Sequence, residues 1–444
     1  MAHDGGMDDA GFVRGTRTRA LWLATLGFFG GFAGVAIFGP LVPKFTDLLH
    51  LTPLEAGLLA AIPSLTGSLL RIPFGAAVDR FGGKRPLLAL LALTNVGVIG
   101  LLALLATSYP GHMAGTYPIL ILLGMLIGCG IATFSVGIAQ VSYWFPRREQ
   151  GGALGIYGGL GNTSPGLSTM LLPIAVGAIG LLGAYGVWFA VLLAITIVYW
   201  LVQRDAPWFQ LRASGRRVND PDRLVALGGS DLVPQGSAVA GLRIAATIPP
   251  TWALVFFYFI SFGGFLAFTT WLPTFWTSMY GSSLRDAGLL TAAFSLTSAF
   301  VRVAGGLASD RISIRYALVG NFLLIALGTL LLASSAVFAV SFAATLIVAM
   351  GMGLQNAIVF KLVPTYVPSA VGGASGWIGG IGALGGFVIP PLMGFVTGLL
   401  SGPSAFAQGF LPFVVLDLAA LPVVWWLSRW NARRSVTPAA PVAA

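Results

Sequence analysis

Two arginines occupy positions where so apolar a chain should carry no charge. Arg71 lies in LLRIPFGAAVDRFGGKR (69–85), separated from Asp79 and Arg80 by apolar residues, proline and glycine only. Arg302 lies in VRVAGGLASDR (301–311) in the same setting. Arg71, Gly75, Asp79 and Arg80 stand at offsets 0, 4, 8 and 9, and Arg302, Gly306, Asp310 and Arg311 repeat those offsets. Positions four apart share a helix face, so each arginine heads a stripe that ends at an aspartate. At 1.5 Å per residue Arg71 is about 12 Å from Asp79, a distance a snorkelling side chain covers only in part. Its repetition in a second place argues for function instead. A guanidinium stays protonated and offers a planar fork of donors, so two of them in an apolar interior need two partners.

The chain holds 14 acidic residues, and nearly all fall in loops, termini or span ends. Asp79 and Asp310 lie beside Arg80 and Arg311, which predicts local ion pairs. Only Asp417 lies well inside an apolar run, the last one, where a structural role is expected. His3, His50 and His112 are all in loops or at the terminus, and the single cysteine, Cys129, excludes an intrachain disulfide or a cysteine metal site. With no acid–base pair, metal cluster or activated nucleophile in the interior, enzymatic activity is disfavoured, and neither a metal nor a cofactor is expected. The economical partner for both arginines is a substrate anion.

Other residues stand near the same depth: Phe134, Asn162, Tyr258, Phe262, Gln355 and Asn356. Tyr258 and Phe262, four apart, share a face. As a set they could sandwich a small flat anion while Asn162 or Tyr258 donates a hydrogen bond; singly, each aromatic is an ordinary core residue. Lys361 follows near a span end, where a topology or gate role is expected.

Apolar runs long enough to cross a bilayer, about 20 residues each, occur at roughly 20–42, 57–78, 86–107, 117–145, 152–176, 180–202, 250–276, 287–309, 316–336, 339–362, 372–398 and 409–428. With 57% hydrophobic and 9% charged residues, the chain is an all-α polytopic membrane protein of about twelve spans. The formal charge of +10 is a topology signal rather than a nucleic-acid surface: alternating spans put nearly every arginine on one side. That side is the cytoplasm, and it receives both termini. The predicted organisation is a cytoplasmic N-terminus (1–19), a six-helix half (20–202), a flexible cytoplasmic linker (203–249), a second six-helix half (250–428) and a cytoplasmic tail (429–444). A multi-pass protein of the cytoplasmic membrane follows, in contact with lipid and expected to be a monomer.

The halves also share GGALGIYGGLGN (151–162) and GGASGWIGGIGA (372–383), in which Gly158, Gly159 and Gly161 match Gly379, Gly380 and Gly382 at one shift. Glycines at such spacing let membrane helices approach closely and slide. Packing at a moving interface is the main reading, and direct substrate contact the other.

GAAVDRFGGKR resembles the loop motif between the second and third helices of the major facilitator superfamily. Within it LTGSLLRIPFG, FPRREQGGALGIYGGLGN, QNAIVFKLVP and GGIGALGGFVIPP resemble the nitrate/nitrite porter family, and the likeness covers both halves. The resemblance implies two pseudo-symmetric six-helix halves that alternate access to a central site, with Arg71 and Arg302 clamping nitrate or nitrite and Phe134, Asn162, Tyr258 and Phe262 lining it. Asn356 is carried over too, although Gln355, Asn356 and Ala357 depart from the usual glycine, asparagine, glycine. After Asn162 the chain reads TSPGLS, and Pro165 predicts a bend. Nitrate/nitrite antiport and nitrate/proton symport both stay open. The rivals are a phosphate or organophosphate exchanger of the same superfamily and, from another class, an anion channel or sensor.

Overall fold

The structure is a computed structural model that describes residues 14–213, 238–308 and 314–436. Asp310 and Arg311 lie outside the described residues, as do the chain ends. Among the described residues the helices group into twelve spans. We number them α1 (Arg17–Leu49), α2 (Pro53–Phe81), α3 (Lys84–Ser108), α4 (Tyr117–Ser142), α5 (147–179), α6 (181–202), α7 (Pro249–Tyr280), α8 (Leu284–Ala308), α9 (Ile314–Ser334), α10 (Phe338–Tyr366), α11 (Pro368–Gly398) and α12 (Ser404–Trp430).

Local chemistry sets the boundaries. Thr52 and Glu55 form a reciprocal capping box that starts α2, satisfying backbone N–H groups the first turn cannot. Gly82, at φ +78°, ends α2 in a conformation that suits glycine, and the Asp205 carboxylate accepts a hydrogen bond from the Lys84 N–H at 2.8 Å to start α3. Burial raises the Asp205 pKa, and this bond opposes the rise. α5 and α6 meet at Gly180, φ +76°, with no loop between them.

The segment expected to be a flexible linker carries short helices at both ends, Pro207–Ala213 and Ala238–Ala246. The second packs on α11: the Trp377 indole donates to the Leu242 carbonyl at 2.9 Å, and Gly373 lies against the Gly241 carbonyl.

Several lining helices break regularity at mid-depth. α4 tightens to a 3₁₀ turn at Cys129–Ala132, α5 breaks after Gly161, α7 widens to a π turn at Phe259–Gly263, and α11 tightens at Gly382–Leu384. Breaks of this kind inside membrane helices free backbone groups and re-aim side chains. Pro165 falls at the start of the helical stretch after the α5 break, where no backbone donor is needed.

The two halves meet unequally at the two ends. At the end away from the termini, a Cβ on Gly57 would lie 2.5 Å from the Pro390 carbonyl oxygen, and one on Gly288 2.6 Å from that of Thr169. Gly394 touches Pro53 and Gly166 faces Ser295 across the same seams. At the end carrying the termini, a Cβ on Gly151, Gly152, Gly155 or Gly158 of α5 would meet no other element within 4 Å among the described residues.

Candidate anion site

The Arg71 side chain projects from the middle of α2 into the interface of the halves and is 1% exposed. Its Nη1 donates to the Gly379 carbonyl of α11 at 2.9 Å, a bond from one half to the other. Its Nε and Nη2 are buried and have no hydrogen-bond partner. Arg302, from α8, is half-buried, and its Nη1 is likewise buried without a partner.

Two rings, one from each half, organise both cations. Phe134 of α4 and Phe262 of α7 face each other with centroids 6.1 Å apart and planes 23° from parallel. The Arg71 guanidinium lies 4.9 Å from each centroid, and that of Arg302 lies 5.7 and 5.6 Å from the same two. Each cation is therefore nearly equidistant from both rings, in the layer midway between them. An aromatic ring attracts a guanidinium most over its electron-rich face and little at its edge, by about 0.5–2 kcal/mol. The rings thus relieve part of the cost of burying two positive charges close together.

The gap bears on the expectation of a flat anion sandwiched between rings. Carbon-to-atom contact distances of about 3.5 Å on each face require about 7 Å, against the 6.1 Å found. To admit a flat anion between them, the rings have to part by about 1 Å.

Tyr258 stacks on Phe262 at 4.8 Å and 6°, and its buried hydroxyl has no hydrogen-bond partner. Asn162, at the α5 break, donates through Nδ2 to the Gly158 carbonyl at 2.5 Å, which leaves its Oδ1 unpartnered. On α10, Gln355 accepts from Asn321 at 3.3 Å, whereas Asn356 Oδ1 has no partner. Lys361 is exposed.

One expectation changes. Asp79 does not pair with its neighbour Arg80: it accepts a 2.6 Å hydrogen bond from the Tyr143 hydroxyl, and the Arg80 guanidinium sits 5.1 Å from the Phe81 ring. Adjacent residues of a helix point about 100° apart, so Asp79 faces the bundle while Arg80 faces out. Asp417 is fully buried, and both its oxygens lack hydrogen-bond partners.

The glycine signatures have distinct environments. A Cβ on Gly380 would lie 2.5 Å from Ile72, one on Gly382 2.9 Å from the Tyr258 Cβ, and one on Gly159 3.0 Å from Val303. Gly161 lies directly against the Phe28 ring, a Cβ on Gly379 would lie 3.9 Å from the Ser135 hydroxyl, and one on Gly75 3.4 Å from the Ser135 Cβ. Gly382 thus seats Tyr258, which stacks on Phe262, and Gly161 seats Phe28, whose centroid is 5.3 Å from that of Phe134.

Phe28, Phe32 and Tyr157 are buried members of this aromatic group that motif reading missed. Phe32 stacks on Phe262 at 6.2 Å and 11°. Their signal was present: Phe28 and Phe32 are four apart in the first span, as Tyr258 and Phe262 are in the seventh.

The family model described as Major Facilitator Superfamily matches residues 24–390. The chain is 33% identical over 383 residues to a probable nitrate/nitrite transporter NarK2 of Mycobacterium tuberculosis, covering 84% of this chain and 87% of that one. It is 29% identical to a probable nitrate/nitrite antiporter NarK1 of Thermus thermophilus (93% and 91% covered) and 30% identical to a nitrite extrusion protein of Bacillus subtilis (93% and 95%). Among solved structures, a bacterial homologue of the human lysosomal transporter Spinster, inward-facing and occupied, superposes with a TM-score of 0.71 at 14% identity, over 96% of this chain and 100% of that one. The xylose transporter XylE of E. coli, partially occluded and inward open, gives 0.68 at 14% identity (93% and 99%). At such identities the structural likeness speaks for the fold.

Proposed function

The chain belongs to the major facilitator superfamily and, within it, to the nitrate/nitrite porter family, and from that premise we propose that it carries nitrate and nitrite across the cytoplasmic membrane by alternating access. The observation that carries this reading is the arrangement of donors. Arg71 Nε and Nη2, Arg302 Nη1 and Tyr258 Oη are buried with no protein acceptor, around a single pair of rings. A buried donor left unsatisfied costs about 1–3 kcal/mol, more for a charged one. A small planar oxyanion that meets several of these donors at once recovers that cost.

Two features favour exchange. The guanidiniums cannot deprotonate, so closing the halves around them without an anion leaves unpaired donors and like charges facing each other. The loaded carrier interconverts more readily, and nitrate/nitrite antiport follows. The unequal seams mark this arrangement as one of the two states. The end away from the termini is closed by glycine against backbone, while the α5 glycines stand open at the other end. With the arginine-rich loops and both termini in the cytoplasm, this is an inward-facing arrangement of a monomer embedded in lipid.

Counterflow in proteoliposomes tests it. Internal nitrite should accelerate uptake of labelled nitrate, with little dependence on an imposed pH gradient. Uptake driven by the pH gradient and indifferent to internal anion identifies proton symport instead, while flux that never saturates identifies a channel.

A further inference from the structure

We propose that Tyr157 is a positioning residue for anion recognition, holding Phe134 in place against the two guanidiniums from behind. The proposal rests on the reading of Arg71, Arg302 and the two rings as the anion site. It goes further by assigning a role to a residue that touches none of the substrate groups.

Tyr157 projects from α5 and is fully buried. Its hydroxyl donates to the Thr133 carbonyl at 2.8 Å and lies 3.1 Å from the Phe134 carbonyl. These carbonyls directly follow the 3₁₀ turn Cys129–Ala132, where α4 departs from regular geometry before Phe134. A helix irregular at this point does not by itself set the direction of the next side chain. The phenol supplies that constraint by tying the peptide that bears the ring to a neighbouring helix.

The surroundings leave Tyr157 little freedom. Phe28 stacks on it at 5.0 Å and 28° and also packs on Phe134 at 5.3 Å. Gly137, one turn beyond Phe134, lies directly under the Tyr157 hydroxyl, so that a Cβ there would collide with it. Gly161 makes room for Phe28 on the other side. The brace therefore consists of Tyr157 and Phe28, with glycines where each needs space.

Its consequence for binding is geometric. Phe134 has a face toward Arg71 at 4.9 Å and Arg302 at 5.7 Å, so rotation of this ring changes the position of both cations. Recognition by forked donors depends on such positions to within about half an ångström.

The test is Tyr157→Phe in proteoliposomes, with the unmodified protein and Arg71→Ala run in parallel. Tyr157→Phe keeps the ring stacked on Phe28 and removes only the hydroxyl. Loss of hydrogen bonding at a buried carbonyl predicts a rise of about ten-fold in KM for nitrate with Vmax largely kept. The dissociation constant from nitrate-dependent thermal stabilisation should rise in parallel. A purely structural role would instead lower the melting temperature and the amount of active protein and leave KM unchanged, which would overturn the proposal.

Gly137→Ala supplies a second arm. Its methyl group displaces the hydroxyl and should raise KM in the tyrosine background, but by much less in Tyr157→Phe; equal effects in the two backgrounds would also refute the brace. The anion-site reading fails separately. If the unmodified protein shows no saturable nitrate uptake, or Arg71→Ala retains it, that reading falls whatever Tyr157→Phe does.

Discussion

Arg71 and Arg302 have nearly the same sequence context and different surroundings. Arg71 is 1% exposed, bonded to the Gly379 carbonyl of the opposite half and 4.9 Å from both rings. Arg302 is half-buried and stands 5.6–5.7 Å from the same rings. The repeat thus places one cation in each half, and in the clamp proposed above the packing makes one an anchored cross-link and the other a half-buried jaw. A carrier that must grip and release in turn is served by that inequality, because only one side of the grip then has to move.

The coarsest way to break the comparison is to remove either jaw. Arg71→Ala and Arg302→Ala should each cost about 2–5 kcal/mol of anion binding, on the order of 30-fold or more in affinity. Saturable nitrate uptake by either variant at near-normal KM would sink the two-arginine clamp.

Charge-conserving replacements then separate the jaws. Lysine keeps the charge but loses the planar fork and the stacking, and Arg71 uses both, through Gly379 and the rings. Arg71→Lys should raise the nitrate dissociation constant roughly 30-fold, and Arg302→Lys by about ten-fold or less. Measured in the same titration, equal losses would show that the difference in anchoring has no bearing on recognition.

The smallest effect contrasts the glycine signatures. Gly380→Ala drives a methyl group into Ile72 across the α2–α11 seam, an overpacking cost of about 1–3 kcal/mol that disfavours this arrangement of the halves. Gly158→Ala meets nothing here and should leave nitrate binding within about two-fold. Cysteine cross-linking across the seam that holds Gly57 and Pro390 should report a lower closed population for Gly380→Ala only. A matching drop in Gly158→Ala would show that α5 is already packed at the termini end.

Part of the proposed site is legible in the sequence. Intramembrane arginines are so costly that their repetition in VRVAGGLASDR pointed to an anion, and Tyr258 with Phe262 announced a shared face. The partner of Asp79 is not legible locally, because Arg80 is its neighbour in sequence while Tyr143 lies 64 residues away. Nothing local in the sequence says that the Tyr157 hydroxyl reaches the peptide before Phe134. Phe28 and Phe32 were overlooked although their spacing repeats that of Tyr258 and Phe262.

What the sequence by itself determined is the set of spans, the two-fold repeat and the presence of two cations without fixed counter-charges. Those follow from hydropathy and charge, which each residue carries wherever it lies. Only the tertiary structure decided that Phe134 and Phe262 share both guanidiniums, that Arg71 is tied to Gly379, and that Gly152 of α5 meets no neighbour among the described residues while its match in α11, Gly373, lies against Gly241. Such properties belong to pairs of surfaces, and they arise when helices distant in the chain are pressed together in one of two possible tilts.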